Sequence, residues 1–153
     1  MSEPPPLPTE HGTCVLIGTN GVLLRGRPGA GKSDLALRLM DDGARLVADD
    51  RVHLALRDGA VIARAPDALK GMMEVNGIGL IRMETARLAD EAKLALIVDL
   101  VPGGTVARLP AAGKAELMGI ALPRIDLAPF EASAPAKLRL AVGRGAGVIM
   151  PHS

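Results

Sequence analysis

Eight consecutive residues, Gly26-Arg27-Pro28-Gly29-Ala30-Gly31-Lys32-Ser33, fit the spacing G-x-x-x-x-G-K-[ST], that of a phosphate-binding P-loop. Glycines at these positions let backbone N–H groups turn inward around phosphates, and the helix that follows adds the positive end of its dipole. In that chemistry Lys32 reaches the β- and γ-phosphates as a point charge, and Ser33 offers its hydroxyl to Mg²⁺. Four carboxylates further along could complete such a site. Asp49-Asp50 closes the apolar run Leu46-Val47-Ala48, at the strand end where α/β sheets bind ligands. Side chains alternate along a strand, so the pair can divide, one toward metal and one toward substrate. Glu74 stands alone among apolar residues, costly if buried without a cation. Asp99 ends the most apolar strand, Lys93-Leu94-Ala95-Leu96-Ile97-Val98, and fits the Mg²⁺-positioning strand of P-loop enzymes equally well. Spacing alone does not choose between Asp50 and Asp99.

The elements that must position these residues follow from periodicity and turn chemistry. The apolar run Val22-Leu23-Leu24 precedes the P-loop, and a helix over 33–40 follows, with Leu35, Ala36, Leu39 and Met40 at core spacing and Gly43 at its C-cap. Residues 13–17 read as a strand that turns through Gly18-Thr19-Asn20-Gly21 into a second strand over 22–25, Asn-Gly being a strong hairpin signal. The P-loop strand is thus entered from an antiparallel hairpin, which brings His11 toward the P-loop end; on position alone His11 is a solvated residue at a strand start. A second hairpin is predicted over 52–65 with Asp58-Gly59 at its bend, followed by a helical turn over 67–70. The run over 73–81 is strand-like, and Gly77 and Gly79 within it suggest a bulge or a close approach of backbone to ligand. From Pro102 the chain reads as irregular, carrying Arg108, Lys114, Arg124 and Asp126. Ser133 and Pro135 then open a helix through about Val142.

Composition narrows the classes. At 153 residues with a net charge of +1, the chain fits one domain of 11–142 between a flexible Pro-rich leader (1–10) and a flexible tail (143–153). The balance favours neither a nucleic-acid surface nor an acidic tail. One Phe with no Trp or Tyr leaves no aromatic platform for single-stranded nucleic acid. The single cysteine, Cys14, excludes an internal disulfide and reads as buried packing. No apolar run reaches the roughly 18 residues of a membrane span, and a cytoplasmic location is expected.

In order and spacing, His11-Gly12, the P-loop, Leu46-Val47-Ala48-Asp49-Asp50 and Glu74-Val75-Asn76-Gly77-Ile78-Gly79 resemble the catalytic domain of HPr kinase/phosphorylase. The likeness is close from His11 to Leu80 and looser through Leu122-Pro123-Arg124 and residues 129–133. It implies an α/β P-loop kinase fold akin to the nucleotide-binding part of phosphoenolpyruvate carboxykinase, a mixed sheet with an antiparallel hairpin entering the P-loop. It implies a cytoplasmic enzyme that phosphorylates a serine of HPr, the phosphocarrier of the sugar phosphotransferase system, from ATP or pyrophosphate with Mg²⁺, and that reverses this with phosphate to release pyrophosphate. The resemblance makes Asp50 the acid/base, puts Lys32 and the amides of 26–33 on the transferred phosphate, and places Ser33, Glu74 and Asp49 on the metal side. His11 and a loop arginine, placed at Arg108, become further catalytic residues; Arg124 falls in the segment linked to dephosphorylation, and Asp99 becomes structural. Members are commonly hexamers.

Three departures stand beside the likeness. Longer members carry a separate N-terminal domain where this chain has about ten residues of leader, so regulation lodged there is expected to be absent or supplied otherwise. Asn76 replaces the family's usual arginine, removing a charge near the phosphates. The region after Pro102 is shortened. A small-molecule kinase or NTPase and a non-catalytic ATP-binding sensor are the competing readings.

Overall fold

The structure, a computed structural model, describes residues 8–107 and 113–143. Its centre is the strand β9 (Ala92–Leu100), which borders three others. Along one edge it runs parallel to β3 (Asn20–Arg25), the strand that delivers the P-loop. Along the other it pairs antiparallel with β6 (Ala60–Arg64) at its start and parallel with β11 (Ile120–Leu127) at its end. β3 pairs antiparallel with β2 (Thr13–Ile17), and β2 with β4 (Arg45–Ala48). On the far side β6 pairs with β5 (Arg51–Arg57), and β5 with the short β1 (Thr9–His11). With β10 (Gly113–Leu117) on β11, nine strands form one mixed sheet, and β7 (Met72–Val75) and β8 (Gly79–Arg82) make a separate hairpin.

β3 and β9 are apolar along nearly their whole length because both faces of the sheet are covered there. On one face Val22, Leu24, Leu96 and Val98 pack with Leu35 and Leu39 of α1 (Lys32–Asp41) and Leu138 of α2 (Ala134–Gly143). On the other, Leu23 and Ile97 pack with Val52, Leu54 and Val61 of the β5–β6 ribbon. Cys14 lies in this second layer, and burial pushes its thiol up to about 12, so it serves as a small hydrophobe. α1 ends as Gly43 enters the left-handed region (φ 101°) while Ala44 N–H donates to Leu39 O at 3.1 Å, the C-cap that the sequence predicts.

Four expectations shift. The first hairpin is present, but its bend is Gly18-Thr19, and Ile17 pairs with Asn20. Gly21 lies inside β3, where a Cβ would sit 2.6 Å from Lys93 O; the glycine admits β9, not the turn. Residues 73–81 are not one strand. Asn76-Gly77-Ile78 bends them into the β7–β8 hairpin, with Gly77 at φ 87° and Gly79 at φ 124°. The stretch after Pro102 is not irregular throughout. β10 and β11 form a hairpin around Met118-Gly119, both at positive φ, and Lys114, Arg124 and Asp126 stand on its strands. Thr9 and Glu10, placed by the sequence in a loose leader, are part of β1. The Asp58-Gly59 bend is as predicted, both residues at positive φ.

Gly21→Ala drives a methyl into the backbone of the central strand and is expected to cost about 1–3 kcal/mol. Thermal unfolding should show a midpoint lower by several degrees, at about 2–4 °C per kcal/mol.

Candidate functional site

The loop over 26–33 takes its shape from glycines. Gly29 and Gly31 have φ of 82° and 103°, values open to glycine at little cost, and Ala30 N–H donates to Arg27 O at 2.9 Å. α1 begins at Lys32 with Gly31 as N-cap and no side-chain cap. Its first amides, unpaired within the helix, therefore carry the positive end of the dipole into the loop. An anion is the natural partner of such an array. Lys32 folds back over the loop, its Nζ donating to Gly26 O at 2.7 Å and Arg27 O at 3.2 Å.

The two aspartates at the end of β4 part company. Asp49 is buried, and its carboxylate accepts hydrogen bonds from three separate segments. Thr13 Oγ1 and Ser33 Oγ donate to Oδ1 at 2.8 and 2.7 Å, and the Glu74 amide donates to Oδ2 at 3.2 Å. A buried carboxylate is tolerable only with such partners. Asp50 is exposed and held at φ 72°, a conformation that costs a non-glycine residue about 1–3 kcal/mol. Two backbone bonds maintain it: Gly12 N–H to Asp50 O at 3.1 Å, and Arg51 N–H to Asp49 O at 2.9 Å. The first ties Asp50 to the residue after His11, and His11 itself lies opposite Arg51 across β1–β5. A cavity of about 450 Å³ opens beside Asp50, lined by Thr9, Arg51, His53, Pro66, Ala68 and Leu69.

Glu74 is exposed on β7, and its amide bond to Asp49 brings the β7–β8 hairpin, with Asn76 at its bend, against the same aspartate. The residues 26–33, Asp49, Asp50, His11 and Glu74 are thus gathered at one end of the sheet. Arg108 lies outside the described residues. The sequence gives no sign of Thr13's part, since a threonine opening an apolar strand reads as β-propensity; its hydroxyl on Asp49 appears only in the fold.

Asp99 is committed elsewhere. Arg25 grips it with a fork, Nε to Oδ1 at 2.8 Å and Nη2 to Oδ2 at 3.1 Å, and Arg124 donates to Oδ2 at 2.8 Å and to Asp126 Oδ1 at 2.6 Å. Glu10 stands 3.8 Å from the Arg25 guanidinium. Burial pushes the Asp99 carboxyl up, but the hydrogen bonds and charges of both arginines outweigh it and hold the group below the usual carboxylate range. Its hydrogen bond to Asp99 raises Arg25, as the bond to Asp126 raises Arg124. The strand-plus-Asp pattern at β9 therefore builds an ion cluster under the P-loop strand, while Ser33 turns to Asp49.

A nine-strand mixed sheet with helices against it, and a glycine loop between β3 and α1 whose serine donates to a buried carboxylate, defines a mixed α/β protein. Within that class the chain belongs to the HPr serine kinase family: residues 6–132 match the family model described as the HPr Serine kinase C-terminal domain. It is 36% identical over 126 residues to the HPr kinase/phosphorylase of Lactobacillus delbrueckii subsp. bulgaricus, covering 76% of this chain and 40% of that protein. With the HPr kinase/phosphorylase of Burkholderia lata the identity is 37% over 130 residues, 80% of this chain and 40% of the other. The chain thus spans about 40% of the length of these relatives. The structure of the Hpr(Ser) kinase/phosphatase from Coxiella burnetii superposes with a TM-score of 0.79 at 26% identity, over 90% of this chain and 89% of that one. Among the described residues no helix is long and apolar enough to cross a membrane.

Asp99 binds its proton less readily folded than unfolded. Its stabilising effect is therefore complete above the unfolded carboxylate value of about 3.9 and fades as pH falls through the lower folded value. Asp99→Asn should lose about 1.5–3 kcal/mol at pH 7, a deficit that narrows below about pH 4. Denaturant titrations across pH check this.

Proposed function

We propose that the chain is an ATP-dependent protein-serine kinase acting on HPr, and that it also removes the phosphate by phosphorolysis, as part of the control of the phosphotransferase system in the cytoplasm. The observation that carries this is the division of the aspartate pair: Asp49 buried on the P-loop serine, Asp50 exposed beside it in a strained, doubly hydrogen-bonded backbone. Strain kept at an exposed acid beside a phosphate loop favours a placed proton acceptor over a solvated turn.

In the forward direction the Asp50 carboxylate takes the proton of the acceptor hydroxyl. The freed oxygen attacks the γ-phosphorus, the bond to the β-phosphate oxygen breaks, and ADP leaves. In reverse, inorganic phosphate attacks the phosphoserine, Asp50 returns the proton to the departing serine oxygen, and pyrophosphate is released. In this reading the amides of 26–33 and Lys32 hold the moving phosphoryl group, and His11, which precedes the Gly12–Asp50 bond, assists at the acceptor; Arg108 is assigned to the transferred group on resemblance alone. The donor set suits Mg²⁺. Ser33 and Asp49, joined at 2.7 Å, would supply oxygen at the loop, with Glu74, whose amide reaches Asp49, as a further ligand, and phosphates and water would complete the ion's shell. When bound, the ion neutralises charge on the phosphates. The relation to the phosphoenolpyruvate carboxykinase nucleotide fold belongs to this reading, supported by the antiparallel β2–β3 hairpin ahead of the loop.

A second reading, transfer to a small hydroxyl metabolite, draws on the cavity beside Asp50, whose size of about 450 Å³ suits a small ligand. The test is incubation with Mg-ATP and HPr and detection of phosphoserine. Asp50→Asn, in which the replacement tolerates the left-handed backbone, should keep ATP affinity and stability while transfer falls by at least about 10²-fold. Transfer at wild-type rate in that variant contradicts the role, and turnover stimulated by a metabolite but not by HPr favours the second reading.

A further inference from the structure

The single aromatic side chain, Phe130, is 70% exposed, yet its backbone is not loose. The segment lies between β11 and α2 and is strapped to α1. Arg38 donates to the carbonyl of Pro129 and, at 3.5 Å, to that of Glu131. Arg38 is itself steadied by Asp34 one turn earlier, at 2.9 Å. Glu131 is fixed in turn by Lys137 of α2 at 2.7 Å, and Ala134 N–H donates to Glu131 O at 3.1 Å. Residues 127–129, which precede Phe130, are buried.

This clamp sets the ring on the P-loop. A Cβ added to Gly31 would stand 2.9 Å from Phe130 Cζ, 3.1 Å from Cε1 and 3.2 Å from Pro129 Cγ. The tip of the ring therefore rests on the last glycine before Lys32, at the N-terminus of α1. Glycine is required at position 31 by its φ of 103°, and the ring tip lies in contact with it. A lone phenyl group kept in water by a charged strap, against the loop that faces phosphates, has no packing reason to be there.

We propose that Phe130 is the stacking platform for the base of the nucleotide whose phosphates lie in the loop. This rests on the reading of residues 26–33 as a triphosphate site. A nucleotide with its phosphates on the amides at the start of α1 carries its sugar and base out of the loop, and the exposed ring rests on that same loop. Base–aromatic stacking is tolerant of base identity, so the platform distinguishes nucleotides from inorganic polyphosphates while separating ATP from GTP only weakly. The donor site then has two parts: an electrostatic loop that any polyphosphate satisfies, and one aromatic surface that only a nucleotide uses.

The test compares Mg-ATP with Mg-tripolyphosphate by titration calorimetry on wild type, Phe130→Ala, Phe130→Leu and Phe130→Tyr, with thermal unfolding to confirm that each is folded. Both Phe130→Ala and Phe130→Leu should bind ATP about 10-fold more weakly and tripolyphosphate as wild type does, while Phe130→Tyr retains ATP affinity. Unchanged ATP affinity in the alanine and leucine variants overturns the proposal. Equal weakening of both ligands also overturns it, since the ring would then only shape the loop. Weakened HPr binding with ATP unaffected would assign the ring to the protein acceptor instead. If wild type binds neither polyphosphate, the P-loop reading itself fails, and the platform with it.

Discussion

Asp49 is the carboxylate on which the P-loop end of the sheet depends. Its three donors come from residues 36, 16 and 25 positions away, one each from β2, α1 and β7. Without them the ion would be costly to bury, and without it the three segments would lose their common acceptor. Through Ser33 it sets the end of α1 against β4; through the Glu74 amide it holds the β7–β8 hairpin, which is outside the main sheet, against the loop. Turning one aspartate inward leaves its neighbour to turn outward, and the left-handed backbone at Asp50 is where that reversal falls. Burial of the first residue and exposure of the second are two consequences of one connection.

A second carboxylate does comparable work on the other side of the P-loop strand. Asp99 joins Arg25, directly ahead of the loop, to Arg124 on β11, so three adjacent parallel strands end in a shared ionic cluster. Both aspartates stand at the ends of apolar strands near the loop, which is why strand-plus-Asp could not separate them. What separates them is the neighbour each meets: Asp49 meets hydroxyls and an amide, Asp99 meets two guanidinium groups. A carboxylate saturated by arginines is suited to holding strands together, and one bonded to a serine hydroxyl is suited to a metal's vicinity.

What the sequence disclosed follows the range of the interaction involved. The P-loop, α1 with its Gly43 cap and the Asp58-Gly59 bend are local, written in residues a few positions apart, and they are found where the spacing puts them. The pairing of acidic residues into an inward and an outward member is likewise a local property of a strand end. The misplaced bend at Asn20-Gly21 has a distant cause: β9, some seventy residues later, passes so close that only glycine fits, and that glycine happens to follow an asparagine. The β10–β11 hairpin was legible in principle, since Lys114 and Glu116 alternate with Ala115 and Leu117 before Met118-Gly119, but arginines and glycines nearby masked a period of two. Neither Thr13 on Asp49 nor Phe130 on Gly31 leaves a mark in one dimension, because each is a contact between elements that only the sheet brings together.

In the proposed site Ser33 and Asp49 act as one unit in holding a phosphate ligand. A double-mutant cycle on Mg-ATP affinity measures this directly, with Ser33→Ala, Asp49→Ala and the pair, each confirmed folded. The predicted result is strong non-additivity, the double variant binding little more weakly than the worse single one. Losses that simply add, or single variants that bind Mg-ATP as tightly as wild type, would contradict it.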